Sequence, residues 1–185
     1  TLDGDFYLYE NDTKIRVANG LTLNGNIHMT GSNTSLAFEG TQTLDGTGTV
    51  HLDGNGMLEA HSGGTVTFGP GITVRGGGGA LGGRAVYGDY MAIINQGTIS
   101  ADRSAQTLLI DPRWGASLTN QGTLQASGGG SLDVKQLSGN LGTAVVGGAS
   151  QLLLDNIGGG SYVVDQPLDL PDFSTLTLGG NWSNT

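Results

Sequence analysis

Six residues in the middle of the chain carry side chains suited to holding a ligand: Arg84, Tyr87, Asp89, Tyr90, Arg113 and Trp114. Aromatic rings cover the apolar faces of a sugar or a peptide, while guanidinium and carboxylate groups fix its polar edge. They lie in two segments, Arg84-Ala85-Val86-Tyr87-Gly88-Asp89-Tyr90-Met91 and Asp111-Pro112-Arg113-Trp114-Gly115. Each segment directly precedes an Asn-Gln-Gly strand. If those strands stack, both segments fall on one edge of the fold, where loops on a rigid scaffold commonly bind. The competing reading is that Tyr87, Tyr90 and Trp114 fold back to cover the side of the scaffold.

Other chemistry is more thinly represented. A glycosidase needs two carboxylates ~5–9.5 Å apart, and a lyase needs an Arg or Lys base beside aspartates. Asp102-Arg103 and Asp111 with Arg113 are the acid/base clusters near a plausible groove, but Asp102 and Arg103 sit at a strand exit, where turn and surface roles suffice. No Ser/His/Asp order stands out, and the Gly76–Gly83 run lacks the Lys-Ser/Thr and helix of a phosphate loop. His28 and His51 occupy the same outward position in consecutive repeats, near enough to share a metal. With Thr73, Ser100 and Gln125 next in that stack, a solvated ladder is the simpler expectation, and no metal or cofactor is assigned. His61 stands alone. Asp3-Gly4-Asp5 and Asp53-Gly54-Asn55-Gly56 lack the patterns of calcium loops and are read as turns. Thr41-Gln42-Thr43 and Thr65-Val66-Thr67 stand one repeat apart, but the ladder an ice surface requires does not continue.

The scaffold announces itself by repetition. Ile93-Ile94-Asn95-Gln96-Gly97-Thr98-Ile99-Ser100-Ala101 recurs further on as Leu118-Thr119-Asn120-Gln121-Gly122-Thr123-Leu124-Gln125-Ala126. Each copy runs from a turn into an alternating strand, the signature of a solenoid repeat. Taking the apolar residue after the turn as a mark gives Phe6, Ile27, Val50, Ile72, Ile99 and Leu124, at intervals of 21, 23, 22, 27 and 25. A second alternating pair follows in each unit: Ile15/Val17, Leu36/Phe38, Val66/Phe68, Leu108/Ile110 and Leu132/Val134. Period-2 alternation buries one face and wets the other. The expectation is an all-β fold: a single-stranded right-handed parallel β-helix (β-solenoid) of about seven coils of ~24 residues. On this phasing the 27-residue interval holds an insertion, the glycine run 76–83 leading into Arg84–Met91. The turn residues Asn24, Asn95 and Asn120 would stack as a ladder or serve simply as turn formers. Beyond Val134 the phase is ambiguous, and the coils should continue with a bend near Pro167 and Pro171.

Composition agrees. Glycine makes up 35 of 185 residues without a Gly-X-Y period, prolines number four, and cysteine is absent. A formal charge of −9 sets the chain against phosphate backbones and anionic membranes, so no nucleic-acid partner is expected. No apolar run approaches the ~20 residues of a membrane span, so no membrane insertion by this segment is expected either. The chain starts at Thr1 and ends in what reads as a half-coil, so it is taken as one segment, 1–185, of a longer protein whose flanking domains are its partners.

Asn95-Gln96-Gly97-Thr98-Ile99-Ser100-Ala101, its copy, and Gly129-Gly130-Ser131-Leu132-Asp133-Val134 resemble repeats of bacterial secreted right-handed parallel β-helix proteins, namely filamentous haemagglutinin-type adhesins and autotransporter passenger domains. The similarity is clearest over 93–134 and looser over 1–92. It implies a secreted or cell-surface location and a structural or adhesive role, with a carbohydrate or protein ligand bound through the corner loops. A polysaccharide-active lyase or glycosidase is the alternative. The ~24-residue coil departs from haemagglutinin repeats, which run shorter.

Overall fold

The structure, a computed structural model, describes residues 1–83, 89–113, 115–156 and 160–185. Those residues form strands and turns and no helix. The strands build a parallel β-solenoid of about seven turns with three walls. The first wall stacks seven strands: Phe6–Leu8, Asn26–Met29, Thr49–Leu52, Thr73–Gly76, Thr98–Ala101, Thr123–Ala126 and Thr143–Val146. The second stacks eight, from Lys14–Val17 through Ser35–Phe38, Met57–Ala60, Ala80–Gly82, Thr107–Asp111, Ser131–Val134 and Gln151–Leu154 to Thr175–Leu178. The third runs Leu21–Leu23, Gln42–Gly46, Gly64–Phe68, Met91–Asn95 and Leu118–Asn120. It passes through a bridge between Leu118 and Leu137 into a small sheet of Gly139–Asn140, Tyr162–Val164 and Trp182–Asn184.

Alternation along each strand turns one side chain in two toward the lumen, so the core consists of columns of register partners. In the first wall the inner column is Phe6, Ile27, Val50, Val74, Ile99, Leu124 and Ala144, at intervals of 21, 23, 24, 25, 25 and 20. Ile27, Val50, Val74, Ile99 and Leu124 are wholly buried or nearly so. Each fully buried Val, Leu, Ile or Phe contributes about 1.5–3 kcal/mol by leaving water. The columns, rather than any one contact, hold the solenoid together.

This register corrects the phasing at three points. The fourth mark is Val74, not Ile72. Ile72 lies in the corner before the strand and occupies the site that Gly25, Gly48, Gly97 and Gly122 fill in other coils, where the carbonyl accepts the next coil's N–H, as Thr98 donates to Ile72. That corner, 69–72, is longer than the corners at 96–97 and 121–122. Val66 and Phe68 belong to the third wall; the second-wall pair in that coil is Leu58 and Ala60. Finally, the glycine run is not an inserted loop. Ala80–Gly82 is a core strand paired on both sides, with Leu81 fully buried against Leu58 and Ile110.

Beyond Val134 the coils continue: Ala144 and Val146 in the first wall, Leu152 and Leu154 in the second, Tyr162 and Val164 in the third. No first-wall strand forms between Val164 and Thr175, the stretch holding Pro167 and Pro171, which lack the N–H a ladder needs.

Candidate functional site

The corner joining the second wall to the third is tight in the early coils, spanning 18–20, 39–41 and 61–63. It then lengthens to 83–90 and 112–117 in consecutive coils. The extra residues at 83–90 barely alter the first-wall spacing because the corner 77–79, the strand Ala80–Gly82 and the corner 96–97 of the same coil are each shorter than 53–56, Met57–Ala60 and 69–72 in the coil before. The two long corners are in contact: Gly83 N–H donates to the Asp111 carbonyl at 3.0 Å, and Met91 N–H to the Pro112 carbonyl at 3.0 Å.

Of the six ligand candidates, Asp89, Tyr90 and Arg113 lie among the described residues, whereas Arg84, Tyr87 and Trp114 fall outside them. Gly83 brings Asp89 and Arg113 together. A Cβ there would stand 2.1 Å from the Asp89 carbonyl oxygen and 3.1 Å from Arg113 Cδ, so both close on the bare glycine backbone. Arg113 itself has φ +63°, a left-handed backbone that a residue with a long side chain seldom adopts. Among the described residues its guanidinium forms no ion pair. Tyr90 lays its ring on Gly63 of the preceding coil, where a Cβ would come within 2.8 Å of Cε1, and leaves 46% of its surface to solvent. A half-exposed ring over a glycine can cover a ligand face, and one coil on, a guanidinium outside any such ion pair can anchor an acceptor.

The acid/base candidates do not converge. Asp102 and Asp111 stand at opposite ends of the second-wall segment that leads through Thr107–Asp111, at different corners of the coil. Asp102 is ion-paired through Oδ2 with Arg75. Arg103 reaches back across an intervening coil to Asp53, with its Nε 2.9 Å from Oδ1, and that carboxylate holds the guanidinium pKa above its ordinary value.

The outward column of the first wall runs Tyr7, His28, His51, Arg75, Ser100, Gln125 and Val145. Arg75, not Thr73, follows His51, because the strand phase is shifted by two. Tyr7, His28 and His51 stack face to face, with centroids 4.6 Å apart and planes within 8°. Parallel rings hold their nitrogen lone pairs in separate planes, so a metal in the plane of one imidazole lies outside the plane of the other. Partial burial, and then the like charge of His28, lower the pKa of His51 from its ordinary 6.5.

The asparagine ladder is resolved in detail. Asn95 and Asn120 point inward, in the same column as Leu21, Leu44 and Phe68. Asn95 Nδ2 donates to Asn120 Oδ1 at 2.8 Å, and Asn120 Nδ2 donates to the Leu141 carbonyl at 2.6 Å. Asn95 Oδ1 is buried without a partner, because its neighbour toward the N-terminal end is the ring of Phe68, which offers no donor. Asn24 is not part of this ladder; it is exposed and bonds Asp3. Comparison of the chain with protein-family models, with characterised proteins and with solved structures gives no match.

Proposed function

We propose that the chain is a rigid structural and adhesive segment of an exported bacterial surface protein, a stalk or passenger of the kind found in filamentous haemagglutinin-type adhesins and autotransporters. On this reading it binds a carbohydrate or host protein ligand through the paired corners 83–90 and 112–117. The observation that carries the reading is the confinement of irregularity. The inner columns run through successive coils in continuous register, while length and aromatic content vary at two adjacent corners. Such a scaffold resists bending and displays a ligand surface from one edge. The sequence resemblance over 93–134 supports the location and the class of role.

The test is a glycan array read with the wild-type protein beside a Tyr87→Ala/Trp114→Ala double variant whose fold is verified by circular dichroism. Specific binding that disappears in the variant supports the corner as a ligand site. Binding that survives the double substitution removes the corner from the reading.

A further inference from the structure

A second surface lies toward the opposite end of the second-wall strands from those corners and forms a groove. It lies on the outer face of the second wall, beside the corner that follows the first wall, and has a volume of about 540 Å³. This is within the ~300–1,000 Å³ range of ligand sites.

The groove exists because one corner is cut short. Between the first and second walls, neighbouring coils turn through 53–56 and 102–106, but the coil between them turns through 77–79 alone, as Gly77-Gly78-Gly79. The flanking corners press in on this triplet. A Cβ on Gly77 would meet Gln106 Cβ at 2.7 Å and Arg103 Cβ at 2.8 Å, and one on Gly79 would meet the Gly56 carbonyl oxygen at 2.7 Å. Gly78 is less crowded: at φ +77° its Cβ position would meet the Gly54 carbonyl oxygen at 3.4 Å and Gln106 Oε1 at 3.6 Å, ordinary van der Waals distances. The result is a notch with no side chains of its own, bridged by the Asp53–Arg103 ion pair.

From the notch the groove extends both ways along the solenoid axis. Its rim carries Asn33, Asn55 and Thr107, and its floor is Met57, Ala80 and Leu109, register partners on three successive strands. Asp133 closes one end as the sole charged side chain of the lining. Four strand spacings separate the coil of Asn33 from that of Asp133, roughly 19 Å at about 4.8 Å each.

We propose that this groove binds a linear, uncharged polysaccharide lying parallel to the solenoid axis. Its open-ended length suits a polymer rather than a compact ligand. Amides and a hydroxyl along the rim supply donors and acceptors in the mixed pattern that sugar hydroxyls require, and the thin apolar floor accepts C–H faces. The guanidinium that bridges the notch, Arg103, is neutralised by Asp53 and lies near Asp102, and Asp133 is acidic, so in a chain of net charge −9 the groove repels anionic polymers. An extended peptide fits less well, because peptide strands bind by pairing with a free edge. The floor strand Ala80–Gly82 is paired on both sides and offers no such edge.

Affinity electrophoresis through gels containing mixed-linkage β-glucan, xyloglucan, galactomannan or soluble chitosaccharide, with alginate and pectate as anionic controls, tests the proposal. At least one neutral polymer should retard the protein. Gly78→Asn, which fills the notch with a residue that tolerates positive φ, should weaken that retardation at least tenfold. Asn55→Ala on the exposed rim should weaken it in the same direction, and Gln121→Ala on another corner should leave it unchanged. Circular dichroism melts establish that each variant is folded. Retardation by no neutral polymer, stronger retardation by alginate or pectate, or equal retardation of both groove variants and wild type would each overturn the proposal. Retardation lost in Tyr87→Ala/Trp114→Ala but kept in Gly78→Asn and Asn55→Ala would place the sugar at the long corners instead.

Discussion

Replacing Asn120 by alanine should destabilise the protein far more than any change to its neighbour in the same turn. Asn120 is 5% exposed, and both ends of its amide are bonded. Its Nδ2 donates to the Leu141 carbonyl at 2.6 Å and the Gly122 carbonyl at 3.3 Å, and its Oδ1 accepts from Asn95 at 2.8 Å. At about 0.5–1.5 kcal/mol net per bond, and with a buried carbonyl and the Asn95 amide left short of a partner, the loss sums to roughly 3–4 kcal/mol. Asn95→Ala should cost less, about 2 kcal/mol, because it deletes two donor contacts but also an oxygen that has no partner. The shared bond should appear as a coupling of about 1 kcal/mol in a double-mutant cycle. Gln121→Ala, exposed and bonded at 3.1 Å to Gln96, should stay within about 0.5 kcal/mol of wild type. Urea unfolding followed by circular dichroism reads the wild type and the four variants: at about 1–3 kcal/mol/M the Asn120 variant should lose at least ~1 M in midpoint. If Asn120→Ala proves as mild as Gln121→Ala, or Asn95→Ala proves the costlier change, the side chains are turn formers and the ladder reasoning fails.

Two further outcomes follow from the same geometry. Gly97→Ala would place a Cβ 2.1 Å from the Ile72 carbonyl oxygen and 2.7 Å from that of Gly69, both backbone, so a loss of more than ~2 kcal/mol is expected. Gly4→Ala, with nothing within 4 Å, should be neutral in the same melt, and equal effects would refute the close-approach argument. The folded-state pKa of His51 is depressed below its ordinary 6.5, so its contribution to stability is present above that value and is lost as pH falls through 6.5 toward the folded value. The groups facing it are His28, Asp53, Arg75 and Arg103. His51→Gln should therefore flatten part of the fall in thermal midpoint between neutral pH and about pH 5. An unchanged slope would show that the stacked rings do not couple to stability.

How much of this is legible in the sequence is clearest at particular residues. The Asn-Gln-Gly-Thr copies stand out because Asn95 and Asn120 fill one buried column, where side-chain amides bond each other and backbone carbonyls and the type of residue is therefore constrained. The fourth coil is misphased by alternation for an equally specific reason. Ile72 and Val74 are both buried and two positions apart, so alternation alone reads identically in either phase. Gly76 sits where Met29 and Leu52 stand in earlier coils and has no side chain to break the tie. Assigning Val66 and Phe68 to the wrong wall has the same origin, since the three walls share one alternation and differ only in which strands they hydrogen-bond. Leu58 and Ala60, the true second-wall pair, do alternate around Glu59, but the signal is weak because apolar Met57 directly precedes Leu58 and Ala60 is small.

The difference between walls and corners also bounds where function can be sought. Along a wall, each residue is judged by its partner in the coils above and below. A column can pass from Leu21 and Leu44 through Phe68 to Asn95 and Asn120 without disturbing the fold, provided each step packs or bonds with the next. Corners are bound less strictly: positions such as Gly97 must still clear the coil beside them, but a corner's length need not match that of its neighbours. The same freedom permits 83–90 to grow and 77–79 to shrink to bare glycine within one coil. One corner gains residues and the other loses them, yet the step from Val74 to Ile99 equals the step from Ile99 to Leu124. Periodicity therefore reports on architecture and is nearly blind to binding. Local departures in corner length, read once the register is known, are the sequence feature on which both proposed ligand surfaces rest.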